Sequence, residues 1–277
     1  MLQRLKRKIR EIWRFPALAW RIEDLWELWI LGVFHSRVIT HSFAKYLTCG
    51  RSGIIHPRLK NTHGESIRID LGDPSQIDTF IELFLDRVYD LSRVPFRPDL
   101  VVDCGAHCGY FSAMATGVFP GAAIFAFEAN PANKHLLGEQ FALLRRQPKL
   151  AMAAVSDRDG EAEFSGSGVG GSIISHGDEP RRYVPCINFA AWLRTQAPSR
   201  FVLKLDIEGA EKLVLGPCLH VLPNKSVVFL ETHYPDFVCK EMLDPYRAAG
   251  FGITEIRRRK AADRDFCYVE WVLLRDD

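Results

Sequence analysis

A chain of 277 residues holds one large α/β core with an appendage, or two small domains, and its 47% hydrophobic and 25% charged residues are the balance of an ordinary folded soluble protein. The formal net charge of +2 excludes a global electrostatic pull on nucleic acid, so any basic partner surface has to be local. The seven cysteines (Cys49, Cys104, Cys108, Cys186, Cys218, Cys239, Cys267) are odd in number and include no CxxC pair, which suits buried thiols in a reducing, cytoplasmic compartment.

The chain starts with its one locally basic stretch, "MLQRLKRKIREIWR", where Arg4, Lys6, Arg7, Lys8, Arg10 and Arg14 stand against a single Glu11. As a helix it puts Leu2, Leu5, Ile9, Ile12 and Trp13 on one face, the pattern of peripheral contact with an anionic membrane or a partner through residues 1–35. Packing on the protein's own core or in a homodimer is the plainer reading. Pro16 ends this helix, and Arg21, Glu23, Asp24 and Glu27 keep the next one well short of the ~20 apolar residues of a membrane span. Charges through the apolar part and the lack of a small-residue cleavage site argue against a signal peptide.

Residues 1–65 thus read as a helical, then irregular extension. "SIRIDLGD" alternates as a strand would, and "SQIDTFIELFLDRVYD" has helical spacing with Ser75 as its N-cap. From Leu100 short apolar strands alternate with helices: "LVVDCG", "AAIFAFEAN", "KLAMAAVSD", "FVLKLDIEG" and "SVVFLETHY". Strands without polar alternation, separated by helices, imply a parallel sheet covered on both faces. "FGITEIRR" and "FCYVEWVLLR" are joined too closely for a crossover helix, so the sheet should end in an antiparallel hairpin.

In such sheets a ligand sits beyond the carboxyl ends of the strands. Asp103 ends the first strand, Gly105 and Gly109 shape the turn into the first helix, and Glu128 ends the second strand where an acid can accept from ribose hydroxyls. A nicotinamide enzyme and an S-adenosylmethionine enzyme share these features. The glycine spacing favours the second, because GxGxxG, which lets backbone approach a pyrophosphate, is missing. Cys104, His107 and Cys108 look like a metal cluster, but they lie in this same junction, where metal binding would compete with the loop's use.

"VVDCGAHCGYFS", "IFAFEANP", "AAVSDRDGEAEF", "GGSIIS", "FVLKLDIEGAEKLVL" and "VVFLETH", in that order, resemble the FkbM family of S-adenosylmethionine-dependent methyltransferases, over about Ser66 to Arg275. The resemblance implies a class I, Rossmann-like methyltransferase domain over residues 66–277, with a mostly parallel seven-stranded sheet ending in an antiparallel hairpin. It also implies methyl transfer, usually to an oxygen of a sugar, glycan or secondary metabolite. By position, Asp103, Gly105 and Gly109 would line the cofactor's methionine end, Glu128 its ribose, and Ala154, Val155, Ser156 and Asp157, ending the third strand, its adenine. His107, Cys108 and Ala129 depart from the family's usual residues.

The acceptor's proton needs a base or a metal ion. The fourth and fifth strands end in "KLDIEG" and "ETH", making Asp206 and His233 the candidate bases, with Glu208 and Glu231 orienting them or the acceptor. Such a set can also take a divalent cation, which the spacing alone does not establish. Lys204 reads as a neutralising partner and Glu211 as a charge on a helix's first turn. In the insertion at residues 165–185, Ser172, His176, Arg181 and Arg182 either meet the acceptor or belong to a solvated hairpin. Two other classes stay open: a non-catalytic S-adenosylmethionine sensor or scaffold, and an NAD-dependent oxidoreductase.

Overall fold

The apolar runs from Leu100 onward become strands buried on both faces: every residue of β3 (Leu100–Cys104) is buried, as are all but the first of β9 (Arg200–Leu205) and β10 (Lys225–Thr232). The computed structural model describes residues 9–35, 53–166, 171–173, 181–260 and 267–276. His176 and the basic residues before Ile9 lie outside them. The chain divides into two compact units, residues 1–87, 108–120 and 138–147, and residues 88–107, 121–137 and 148–277.

In the first unit, β1 (Ile54–Ile55) pairs antiparallel with β2 (Ile69–Asp70), so "SIRIDLGD" contributes only a two-residue strand. Helix α1 (Asp24–His35) buries Leu28, Ile30 and Leu31. Helix α2 (Pro74–Phe80) is capped by Asp73, whose Oδ1 accepts from Ser75 N at 3.0 Å. Ser75 was the expected cap. Pro74 displaces it, because proline favours the first helical position, where its missing N–H costs nothing. A π-helical turn follows over Ile81–Leu85, and Phe15, Phe80, Phe84 and Tyr110 make a chain of ring contacts. Tyr110 begins α3 (Tyr110–Val118), and α4 (Lys134–Ala142) follows later in the chain.

In the second unit, β3, β4 (Ala123–Phe127), β5 (Lys149–Ala151), β9, β10, β11 (Gly252–Lys260) and β12 (Cys267–Asp276) form one sheet in the order β11-β12-β10-β9-β3-β4-β5. β12 runs antiparallel to both its neighbours, and the other described pairings are parallel. This is the seven-stranded sheet with a terminal hairpin that the sequence implied. Its core packs Val102, Leu203, Leu205, Val228 and Leu230 with Leu215 of α6 (Glu211–Cys218) and Tyr246 of α7 (Asp236–Ala248).

The third strand departs from expectation. It breaks at Met152–Ala153, and β6 (Ala154–Ser156) leaves the main sheet to join a second one, ordered β6-β8-β7, with β7 (Gly160–Ser165) and β8 (Arg181–Asn188). Ala154, Val155 and Ser156 therefore do not end a main-sheet strand; they are buried beside β8, and Asp157 follows them. Of the insertion, Ser165 ends β7 and residues 181–185 begin β8, which pairs antiparallel with β7; Arg181 is held by Glu163 at 2.8 Å, and β8 leads into a helix missed in the sequence, α5 (Phe189–Gln196).

Gly105 follows β3 at φ +79°, and a Cβ there would lie 1.9 Å from the Asp206 carbonyl oxygen. Glycine is thus required by the loop after β9. Gly105→Ala should destabilise the fold by about 2–4 kcal/mol, combining backbone strain with overpacking. An unchanged urea midpoint contradicts this account.

Candidate active site

Strand order reverses between β3 and β9, and the acidic strand ends gather there. Register pairs Asp103 with Lys204 across the two strands. The buried Lys204 Nζ donates to the Gly105 carbonyl at 2.6 Å and lies 3.3 Å from Asp206 Oδ2 and 3.7 Å from Asp103 Oδ1. Burial alone would lower the pKa of this ammonium, but Asp206 and Asp103 outweigh it and hold the proton firmly. Burial likewise opposes ionisation of Asp206, yet Lys204 and His233 together keep it below the usual carboxylate range. Lys204 is the neutralising partner the sequence suggested.

His233, just beyond β10, is set among acids. Its Nδ1 lies 3.0 Å from Glu211 Oε1, and its Nε2 lies 3.3 Å from Glu208 Oε2 and 3.9 Å from Glu231 Oε1. Burial disfavours the imidazolium, but Glu211, Glu208 and Glu231 overcome it and push the pKa up to about 10. Glu211 is fully buried, and Oε1 also accepts from Ile207 N at 3.2 Å and Gly209 N at 3.0 Å. It therefore does more than charge a helix turn: it ties the "DIEG" loop to the imidazole. Glu208 sits at φ +57°, a conformation non-glycine residues rarely adopt. Burial, with Asp206 and Glu211 adding, pushes its pKa up to about 7 despite His233.

Glu231 is pushed up to about 8, by burial first and Asp206 second. It faces Glu270 directly across β10 and β12, a like-charge pair that needs compensation. The terminal hairpin supplies it. Arg259 reaches Glu231 Oε1 at 3.1 Å and Glu270 Oε1 at 3.2 Å, and Arg257 reaches Glu270 Oε1 at 2.8 Å. Tyr89 OH lies 3.3 Å from Asp206 Oδ2 and 3.2 Å from Glu231 Oε2. Tyr89, Arg257 and Arg259 were missed in the sequence. The arginines were detectable as an i, i+2 pair on one face of a strand; nothing local marks Tyr89, 117 residues from Asp206.

The cofactor positions are less concentrated. Asp103 is fully buried at the end of β3. Glu128 is buried after β4 with Oε2 accepting from His107 N and Oε1 from Asn130 N, each at 2.8 Å, and burial raises its pKa. The Asn133 side chain also hydrogen-bonds this carboxylate. Gly109, at φ +79°, caps α3. Cys104 is a core thiol whose pKa burial pushes up. Among the described residues, one grouping suits a metal ion: Asp206, Glu208 and His233, with ligand atoms all within 4.8 Å of one another. Glu211 on Nδ1 would turn Nε2 toward such an ion, and the imidazole would have to give up its Nε2 proton to bind it.

A parallel sheet closed by one antiparallel strand, with acids at the first, second, fourth and fifth strand ends, defines a class I methyltransferase, the class that takes its methyl group from S-adenosylmethionine. The Methyltransferase FkbM domain matches residues 103–253, more than half of the chain, and the chain belongs to that family. The methyltransferase sdnD of Sordaria araneosa is 39% identical over 62 residues, which are 22% of this chain and 24% of that protein, so the chain matches about a quarter of this relative's length. Among solved structures, the methyltransferase FkbM of Methylobacillus flagellatus KT is similar at 13% identity and a TM-score of 0.42, over 96% of this chain and 59% of that one. A precorrin-6y C5,15-methyltransferase of Geobacter metallireducens GS-15 is similar at 15% identity and a TM-score of 0.41, over 67% and 85%.

Replacing Lys204 by Met would leave Asp103 and Asp206 buried without their cation, at a cost of about 3–5 kcal/mol near neutral pH. Without the cation the folded carboxylates bind protons more tightly than the unfolded ones, so the deficit should shrink as pH falls toward ~4. Urea unfolding across pH checks this; a pH-independent deficit contradicts it.

Proposed function

We propose that the protein transfers a methyl group from S-adenosylmethionine to a hydroxyl oxygen of a sugar, glycan or secondary-metabolite acceptor. Residues 66–277 are the catalytic domain in this reading and residues 1–65 an extension; the cysteine pattern supports a cytoplasmic setting. Asp103, Gly105 and Gly109 hold the methionine end of the cofactor, Glu128 the ribose, and Ala154, Val155, Ser156 and Asp157 the adenine. These assignments rest on the family pattern and, for Asp103 and Glu128, on the ends of β3 and β4; the adenine assignment rests on the family pattern alone.

The observation that carries the chemistry is the environment of Glu208. The sulfonium is already a good leaving group, so the enzyme has to align the reactants and accept the acceptor's proton. An imidazolium whose pKa is near 10 is a poor base at neutral pH, and Asp206, held below its usual range, is a weak one. Glu208, part-exposed with a pKa near 7, is poised to take the proton, so base and orienting roles exchange relative to the sequence reading. His233 and Glu231 then set its charge surroundings, while Glu211 orients His233 and Asp206 helps position the acceptor.

Calorimetry should show S-adenosylmethionine binding and no NAD binding; the reverse result removes the main reading. Transfer of labelled methyl groups into extracts of the source organism identifies the acceptor. Absence of any transfer, with cofactor bound, favours a sensor or scaffold. With the acceptor in hand, Glu208→Gln should retain cofactor affinity and lose roughly 10²–10⁴-fold in kcat.

A base must be deprotonated to act, so kcat should rise with pH through about 7. His233 lowers the Glu208 pKa, so His233→Ala should move this limb to higher pH. A limb that stays in place contradicts the assignment. Loss of turnover under a chelator with recovery on Mg²⁺ would instead transfer the deprotonating role to a metal held by Asp206, Glu208 and His233.

A further inference from the structure

Six of the nine exposed large hydrophobic side chains among the described residues fall within one short segment: Ile9, Trp13, Trp20, Ile22, Leu25 and Trp26. Trp13 is 62% exposed, Ile22 79% and Trp26 53%. Exposed tryptophans are seldom neutral, since each keeps a large apolar ring in water. The segment is nonetheless firmly folded on its other side. A Cβ on Gly32 of α1 would lie 2.8 Å from the Ile12 carbonyl oxygen and 2.9 Å from the Phe15 ring, so the helical turns at residues 9–14 press against α1 through Ile12 and Phe15. Ile9 and Trp13, one turn apart, occupy the outward face.

The nearby acids already have partners within the protein, although Glu23 is exposed. Asp24 is buried, accepting from Arg21 N at 2.9 Å and from Arg58 N at 3.1 Å. Glu23 bonds Arg58 at 2.8 Å, and Glu27 accepts from His56 N at 3.0 Å. Glu23, Asp24 and Glu27 are thereby engaged by the protein's own backbone and Arg58. Arg10, Arg14 and Arg21 are exposed; Arg14 reaches Asp86 at 2.8 Å, while Arg4, Lys6, Arg7 and Lys8 precede the described residues in the sequence. Among the described residues no helix is long and apolar enough to cross a membrane.

Tryptophan and aliphatic side chains set outward, with exposed Arg10 and Arg21 among them and a basic run preceding them in the sequence, match the chemistry of an anionic bilayer surface. We propose that residues 1–26 dock the protein on anionic lipid. The rings enter the boundary between headgroups and acyl chains, and the cations meet lipid phosphates and carboxylates. This surface shares no residue with the strand-end site, and the proposal stands whether or not methyl transfer is the activity.

The test is sedimentation of the full chain with vesicles of phosphatidylcholine containing 30% phosphatidylglycerol, and with phosphatidylcholine alone. Expected are binding to the anionic vesicles only, weakening at high salt, and at least tenfold weaker binding for Trp13→Ser/Trp26→Ser. A second variant, Arg4→Gln/Lys6→Gln/Arg7→Gln/Lys8→Gln, alters none of the described residues and should weaken binding to a similar degree. Failure of the full chain to bind anionic vesicles overturns the proposal. So does binding that both variants retain, or self-association through this face without vesicle binding.

Discussion

One ammonium group, Lys204 Nζ, sits where the strand order reverses, and the arrangement of the site follows from what it takes to keep it there. A buried cation is tolerated only when carboxylates and carbonyls replace its water. Here Asp103 supplies one from the neighbouring strand, Asp206 another from the strand's own end, and Gly105 a carbonyl from the first loop. The same contacts bring the loops after β3 and β9 so close that Gly105 has no room for a side chain. The turn into the first helix and the acidic fourth strand end are thereby held as one piece.

A second layer of balance extends outward from this pair. Asp206 can stay ionised because Lys204 and His233 flank it, and His233 stays cationic because Glu211, Glu208 and Glu231 surround it. Glu231 in turn opposes Glu270, which the hairpin arginines Arg257 and Arg259 compensate. The terminal hairpin, a topological feature in the sequence, is an electrostatic support in the structure. The outcome is a set of acids whose proton affinities are spread apart: Asp206 is pushed down while Glu208 and Glu231 are pushed up toward neutrality, the kind of separation by which neighbouring carboxylates can take different roles.

Much of this was readable in advance. The unbroken apolar runs ending at Asp103, Glu128, Asp206 and Glu231 mark parallel strands buried on both faces, and the short link between the last two strands excludes a crossover. The break at Met152–Ala153 was not readable, because "KLAMAAVSD" is equally apolar on either side and only pairing with β8 draws Ala154–Ser156 into a second sheet. Asp73 and Ser75 are both good caps, and the proline between them decided the matter. Tyr89 carries no local signature at all; its meaning comes from acids 117 and 142 residues away.

By itself, the sequence determined the sheet class, the family and the strand ends at which chemistry can occur, because hydrophobic period and motif order are local properties of the chain. Tertiary structure alone decided which acids have their proton affinity lowered or raised, and that His233 is surrounded by carboxylates that favour its protonated form. Those properties depend on burial and on charges brought within about 4 Å by distant segments, where a low dielectric makes each neighbour count.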